Sequence, residues 1–132
     1  MLMNLPRFRR VWLENIFDHF VKRGYFAHIS YKSVIPIVAV RERTKLEVVM
    51  VHASLTGYLR DPVYESLNTL RRMAPSAIIL VAVPRVKRDD AKRRIILDPE
   101  GTIFYRFEPM RREYGEIHRL REAGYKSPFA LE

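Results

Sequence analysis

Two apolar, β-branched runs, LEVVMVHA (46–53) and AIILVAVP (77–84), are separated by one segment with helical spacing, DPVYESLNTLRRM (61–73). Short runs of this kind mark buried strands. A helix between two of them implies a parallel crossover, since a tight turn joins only antiparallel strands. That feature alone predicts an α/β class with a mixed sheet.

The remaining segments fit around this unit. FRRVWLENIFDHFVKR (8–23) repeats apolar residues at Trp12, Leu13, Ile16, Phe17, Phe20 and Val21, a helical stripe that Gly24 would stop. YFAHISYKSV (25–34) reads as a strand with Phe26, His28, Ser30 and Lys32 on one face, and Pro36 interrupts it. IPIVAV (35–40) is the next strand, joined to 46–53 by the hairpin turn RERTK (41–45). SLTGYLR (54–60) is a connecting loop, Asp61 is the expected cap of the following helix with Pro62 at its first position, and Pro75 ends it. PRVKRDDAKRR (84–94) is a charge run, and RIILDPEGTIFYRF (94–107) reads as a hairpin turning at DPEG. MRREYGEIHRLREAGY (110–125) reads as a helix with Tyr114, Ile117 and Leu120 inward. The predicted order is α-β-β-β-α-β-(β-hairpin)-α. It amounts to a mixed sheet of about five strands flanked by helices, in one domain over 1–132 with the helix 110–125 as an appendage.

Charge points to a partner. The 132 residues carry 24 Lys+Arg against 15 Asp+Glu, a net +9, and 18 of the cations are arginine. A polyanion is the leading expectation, because guanidinium binds phosphate bidentately and keeps its charge. The competing explanation is habitat: abundant Arg with no Cys and no Gln fits a protein that works hot. Without cysteine there is no disulfide framework and no thiolate metal site. No apolar run approaches the roughly 18–20 residues that span a bilayer, and MLMNLPRFRRVW has no uninterrupted apolar core of a secretory signal. No membrane partner and a cytoplasmic location are therefore expected.

The order of elements resembles the restriction-endonuclease-like core of the PD-(D/E)xK superfamily, and within it the archaeal Holliday-junction resolvase branch. The residues that carry the resemblance are KRGY (22–25), PIVAV (36–40), LEVVMVHAS (46–54), NTLRRMAPSAIILVAV (68–83) and TIFYRF (102–107). It covers roughly 8–107 and implies a Mg²⁺-dependent nuclease fold that commonly pairs as a homodimer. The departures fall on the chemistry. Ile37 stands at the first acid, Met50 at the second and His52 at the lysine. Mg²⁺ needs oxygen ligands, so neither Ile nor Met can hold it. Glu14 and Glu47, with His52, are the residues for a displaced site, although Glu47 alternates with Val49 and Val51 rather than with Met50. His19, His28 and His52 form a weaker set for a transition metal. No P-loop, GxGxxG or GxSxG motif is present.

Three basic stretches are candidates for phosphate contact: Arg7, Arg9 and Arg10; Arg41, Arg43 and Lys45 on the hairpin turn; and the densest, Arg85, Lys87, Arg88, Lys92, Arg93 and Arg94. Among Tyr25, Tyr31, Tyr58, Phe104 and Tyr105, Tyr58 beside Gly57 and Arg60 is best placed to stack on a base. The sequence thus predicts a non-catalytic nucleic-acid binder that acts through a loop over 85–94 and neighbouring arginines as a homodimer, DNA favoured over RNA, without a cofactor. The alternatives are a Mg²⁺-dependent nuclease with displaced carboxylates, and a protein-interaction module with no nucleic acid.

Overall fold

The computed structural model describes residues 5–89, 91–92 and 94–107. The elements are α1 (Leu5–Val21), β1 (Phe26–Ile29), β2 (Ile37–Glu42), β3 (Leu46–Ala53), α2 (Asp61–Met73), β4 (Ile78–Asp89) and β5 (Arg94–Arg106). The five strands form one sheet in the order β1-β2-β3-β4-β5. Only the β3–β4 pair is parallel; the other three pairs are antiparallel. The α/β class and the mixed five-stranded sheet are as the sequence predicts. The helix expected over 110–125 lies outside the described residues.

Helix α1 begins three residues earlier than its stripe, with Pro6 in the first turn, where the missing N–H is no loss. It ends in a Schellman motif: Gly24 takes φ 84°, Tyr25 N–H donates to Phe20 O (3.0 Å) and Gly24 N–H to Val21 O (3.1 Å). Its buried face, Trp12, Leu13, Ile16 and Phe20, packs on Ile37, Ala39, Val49, Val51, Leu80, Ala82 and Phe104. On the other side of the sheet, Tyr64 and Leu67 of α2 pack on Ile79, Val81, Val83, Tyr105 and Phe107. The first half of β4, through Val83, is therefore covered on both faces, which is why its sequence there is an unbroken apolar run.

Four expectations need correction. The strand expected over 25–34 stops at Ile29, because Ser30 N–H turns to Pro36 O (2.7 Å) and starts a bend. Asp61 lies inside α2 rather than at its cap; Arg60 holds the cap position without a side-chain bond. The run 84–94 is not a loop, since Arg85–Asp89 continue β4 and pair with Arg94–Asp98 of β5. Finally, DPEG is not a hairpin turn. Asp98 Oδ1 does accept the Glu100 N–H (3.0 Å), as in a turn. The chain nevertheless keeps its direction, pairing Thr102 with Pro84 where it paired Asp98 with Arg85. Residues 99–101 are thus a bulge opposite Pro84, which has no N–H to give the ladder. Gly101 is needed there: a Cβ would lie 2.8 Å from Arg85 Cβ.

Leu80, fully buried between α1 and the sheet, reports on this core. Leu80→Ala is expected to cost about 2–5 kcal/mol in guanidinium unfolding. Val21→Ala, on the exposed side of α1, should stay within roughly 0.5 kcal/mol of the parent.

Candidate nucleic-acid interface

Strand register decides what the nuclease-like positions can do. Ile37 pairs with Val51, whereas Met50 pairs with Val38. Paired residues share a face, so Ile37 faces α1 while Met50 and His52 face the opposite side. The three positions do not converge. At Ile37's own face, the neighbouring strand presents Val49 and Val51, both fully buried beneath α1.

The carboxylates of the displaced-site alternative are also apart. Glu47 accepts Arg41 Nη2 (2.9 Å), Arg41 Nε (3.3 Å) and the Tyr25 hydroxyl (3.1 Å). These donors, Arg41 first, hold its carboxyl below the usual range. Glu14 sits on α1 and accepts the Tyr31 hydroxyl (3.0 Å) and Arg10 Nε (3.4 Å). His52 is half-buried, with Nδ1–H donating to Val34 O (2.7 Å), and burial lowers its pKa. The histidines do not assemble either: His19 lies under α1 against Phe104, on the far side of the sheet from His52. Among the described residues no three His, Cys, Asp or Glu side chains are grouped to hold a metal ion.

Arg41 must leave the list of phosphate-binding residues. Besides Glu47, its Nη1 donates to Arg23 O (3.1 Å), and its guanidinium lies 4.3 Å from the centroid of the Tyr25 ring. Only 11% of the side chain is exposed. It is a strand residue that ties β2 to the end of α1. Arg43 and Lys45 are exposed in the β2–β3 turn, but that turn is at the amino end of β3.

The other cations gather at the opposite end. β1, β3 and β4 run in the same direction, so the segments following β1 and β3 share an end, from which β4 runs on. Arg9 donates to Tyr31 O and Arg10 lies 5.2 Å from the Tyr31 ring centroid, which brings the start of α1 to the loop after β1. The 54–60 loop is held by Ser54, whose N–H donates to Ala82 O (2.9 Å) and whose Oγ accepts Gly57 N–H (3.0 Å). Gly57 takes φ 81°, which turns the chain toward Tyr58, 46% exposed, and exposed Arg60 at the start of α2. From the same end β4 leaves β3 behind. Beyond Ala82 it pairs with β5 alone, as a two-stranded ribbon running to the Asp89–Arg94 pair, roughly 20 Å at 3.3 Å per residue. The ribbon's backbone carries Arg85, Lys87, Arg88 and Arg94, with Lys92 exposed in its connection; Arg93 lies outside the described residues.

Arg7, Arg10, Lys32, Arg60, Arg85 and Lys92 are all exposed on these segments. Of these, Lys32 was not a candidate from sequence; its signal is strand parity, since the loop after β1 must open at the carboxyl end of β3. Of the other aromatic candidates, Tyr25, Phe104 and Tyr105 are interior, at most 5% exposed, whereas Tyr31 is partly exposed with its hydroxyl on Glu14. Beside α1 lies an open groove of about 420 Å³, lined by Asn15, Asp18, His19, Lys22, Arg23 and Glu100. No family model and no curated protein matches this sequence. Among the described residues no helix is long and apolar enough to cross a membrane.

Two pH effects follow. Glu47 has a depressed pKa in the fold, so its contribution is present above the ordinary carboxylate range and is lost as pH falls through the folded value. The stability gap between the parent and Glu47→Gln should close on acidification in a pH series of thermal melts. His19 accepts Arg23 Nη1 at Nδ1 (3.0 Å), and burial and then Arg23 lower its pKa from 6.5 to about 4. The unfolded chain takes up this proton first, so stability should fall between pH 6.5 and about 4. His19→Gln should flatten that part of the profile.

Proposed function

We propose that this protein binds nucleic acid without cutting it, holding the backbone by charge and shape at the carboxyl end of β3. The observation that carries the reading is the basic β4–β5 ribbon rising beside the exposed cations Arg60, Lys32, Arg7 and Arg10. Between Arg85 and Asp98 the sequence has six cations against three acids. A two-stranded ribbon fits the major groove of B-DNA, which favours duplex DNA over RNA, whose A-form major groove is too deep and narrow to enter. Open α/β sheets bind their ligands outside the carboxyl ends of parallel strands, which is where this surface lies. Tyr58 adds an aromatic face on the same rim, available to an unpaired base. The order α-β-β-β-α-β supports a core of nuclease-like descent, with Ile37, Met50 and His52 where its reagents would stand and Ile37 packed among Val49 and Val51.

The test is a binding titration on labelled duplex, single-stranded and four-way-junction DNA across a salt series, with Mg²⁺ or Mn²⁺ present. Binding should weaken steeply with salt and leave every strand intact. Replacing Arg85, Lys87 and Arg88 by alanine should reduce the slope of log K against log salt by about 2–3, at roughly 0.9 per lost duplex phosphate contact. Arg43→Ala with Lys45→Ala, at the far end, should leave it unchanged. A triple variant with the parent's slope removes the ribbon from the interface, and cut strands overturn the non-catalytic reading.

A further inference from the structure

The loop after β3 fixes the backbone of one exposed aromatic residue. Ser54, itself buried, donates its N–H to Ala82 O (2.9 Å). Its Oγ accepts the Gly57 N–H (3.0 Å) and donates to Tyr58 O (3.2 Å), while Thr56 Oγ1 accepts the Tyr58 N–H (3.2 Å). Both backbone polar groups of Tyr58 are therefore held within the loop. Leu59 follows, packed with Tyr64, Leu67 and Val81, and Arg60 is extended at φ −70° and ψ 156°. Exposure alternates along this stretch: Tyr58 is 46% exposed, Leu59 6%, and Arg60 is exposed again. Successive side chains of extended backbone leave on opposite sides. The ring and the guanidinium thus share one side, with their backbones roughly 7 Å apart.

The position of this loop matters as much as its rigidity. Ala82 is the last β4 residue paired with β3, and beyond it β4 and β5 form the basic ribbon. The bond from Ser54 to Ala82 sets Tyr58 beside the ribbon's base. Tyr31, at the same end, is not equivalent. Arg10 lies 5.2 Å from its ring centroid, and its hydroxyl donates to Glu14 (3.0 Å). An aromatic ring held in place can stack on a base, but within a duplex the faces of each base are covered by its neighbours. A base face opens where a strand leaves the duplex.

We propose that the protein selects duplex DNA bearing a single-stranded extension, with Tyr58 stacked on an unpaired base and Arg60 on the phosphate beside it. This rests on the nucleic-acid reading above and adds the form of the ligand. The ribbon holds the paired region, and the strand that leaves it passes the 54–60 loop. Because the loop is already ordered, stacking costs little further backbone entropy.

Anisotropy titrations at one salt concentration test this with four labelled DNAs. They are a blunt duplex, that duplex with a single-stranded extension, the same molecule with the extension made abasic, and the extension alone. The abasic form keeps the phosphates and removes the base faces. The parent should bind the extended duplex about 5- to 150-fold more tightly than its abasic counterpart, the range for one stacked base. Tyr58→Ala should bring those two affinities together, and Tyr58→Phe, which keeps a ring, should hold them apart. Their ratio cancels any general loss of binding by a variant. Equal affinities in the parent, or a difference that survives Tyr58→Ala, would overturn the role of Tyr58. An extension that binds alone as tightly as the extended duplex would overturn the selection of a duplex end. Failure of all four DNAs to bind would sink the nucleic-acid reading, and this inference with it.

Discussion

The parallel pairing of β3 with β4 is the constraint from which the rest of the molecule follows. It buries Val49, Val51, Leu80 and Ala82 on one side and Ile79, Val81 and Val83 on the other. Both sides then need a helix, and the crossover that creates the pairing supplies α2 for one of them. It also aligns β1, β3 and β4, so the loops after β1 and β3 open together with the base of the ribbon. Arg7, Lys32, Arg60 and Arg85 are far apart in sequence. Topology, not proximity along the chain, makes them one end of the protein.

The same packing sets the terms for any metal chemistry at the centre of the sheet. The positions that share Ile37's face are Val49 and Val51, enclosed with Trp12 and Phe20. A carboxylate introduced there would lose its hydration without gaining a cation or donors, at a cost of several kcal/mol. Glu47, on the same face but at the rim, avoids that penalty through Arg41 and Tyr25. A nuclease-like site would require opening the α1 interface, not a single exchange of residues.

Most of the fold was legible because periodicity reports burial directly. The stripe of α1, the doubly buried run of β4 and Pro75 after α2 each have one local cause. What was misread depends on register between distant residues. Asp98 and Glu100 form the same local turn in a hairpin as in a bulge, and only the pairing of Thr102 with Pro84 separates the two. The apparent alignment of Ile37 with Met50 failed for the same reason: which side each faces is set by the β2–β3 pairing. Arg41 looked like a turn residue because β2 continues through Glu42, beyond its apolar run.

Arginine content illustrates how structure divides a compositional signal. Net charge offered two explanations, a polyanion partner or a hot habitat, and the side chains reveal a third. Arg71 Nη2 donates to Ala74 O (2.7 Å) and Pro75 O (2.8 Å) and also to Ala77 O, closing the end of α2. Arg9 binds Tyr31 O, Arg23 binds His19 O (3.1 Å), and Arg41 binds Arg23 O. Carbonyls freed at helix ends and bends need donors, and a planar guanidinium brings five in fixed directions, where an ammonium offers three on a single atom. Part of the excess of Arg over Lys is therefore structural and carries no information about a ligand. The electrostatic footprint belongs to the cations left on the surface, and those at the carboxyl end of β3 lie where the strand ends and the basic ribbon meet.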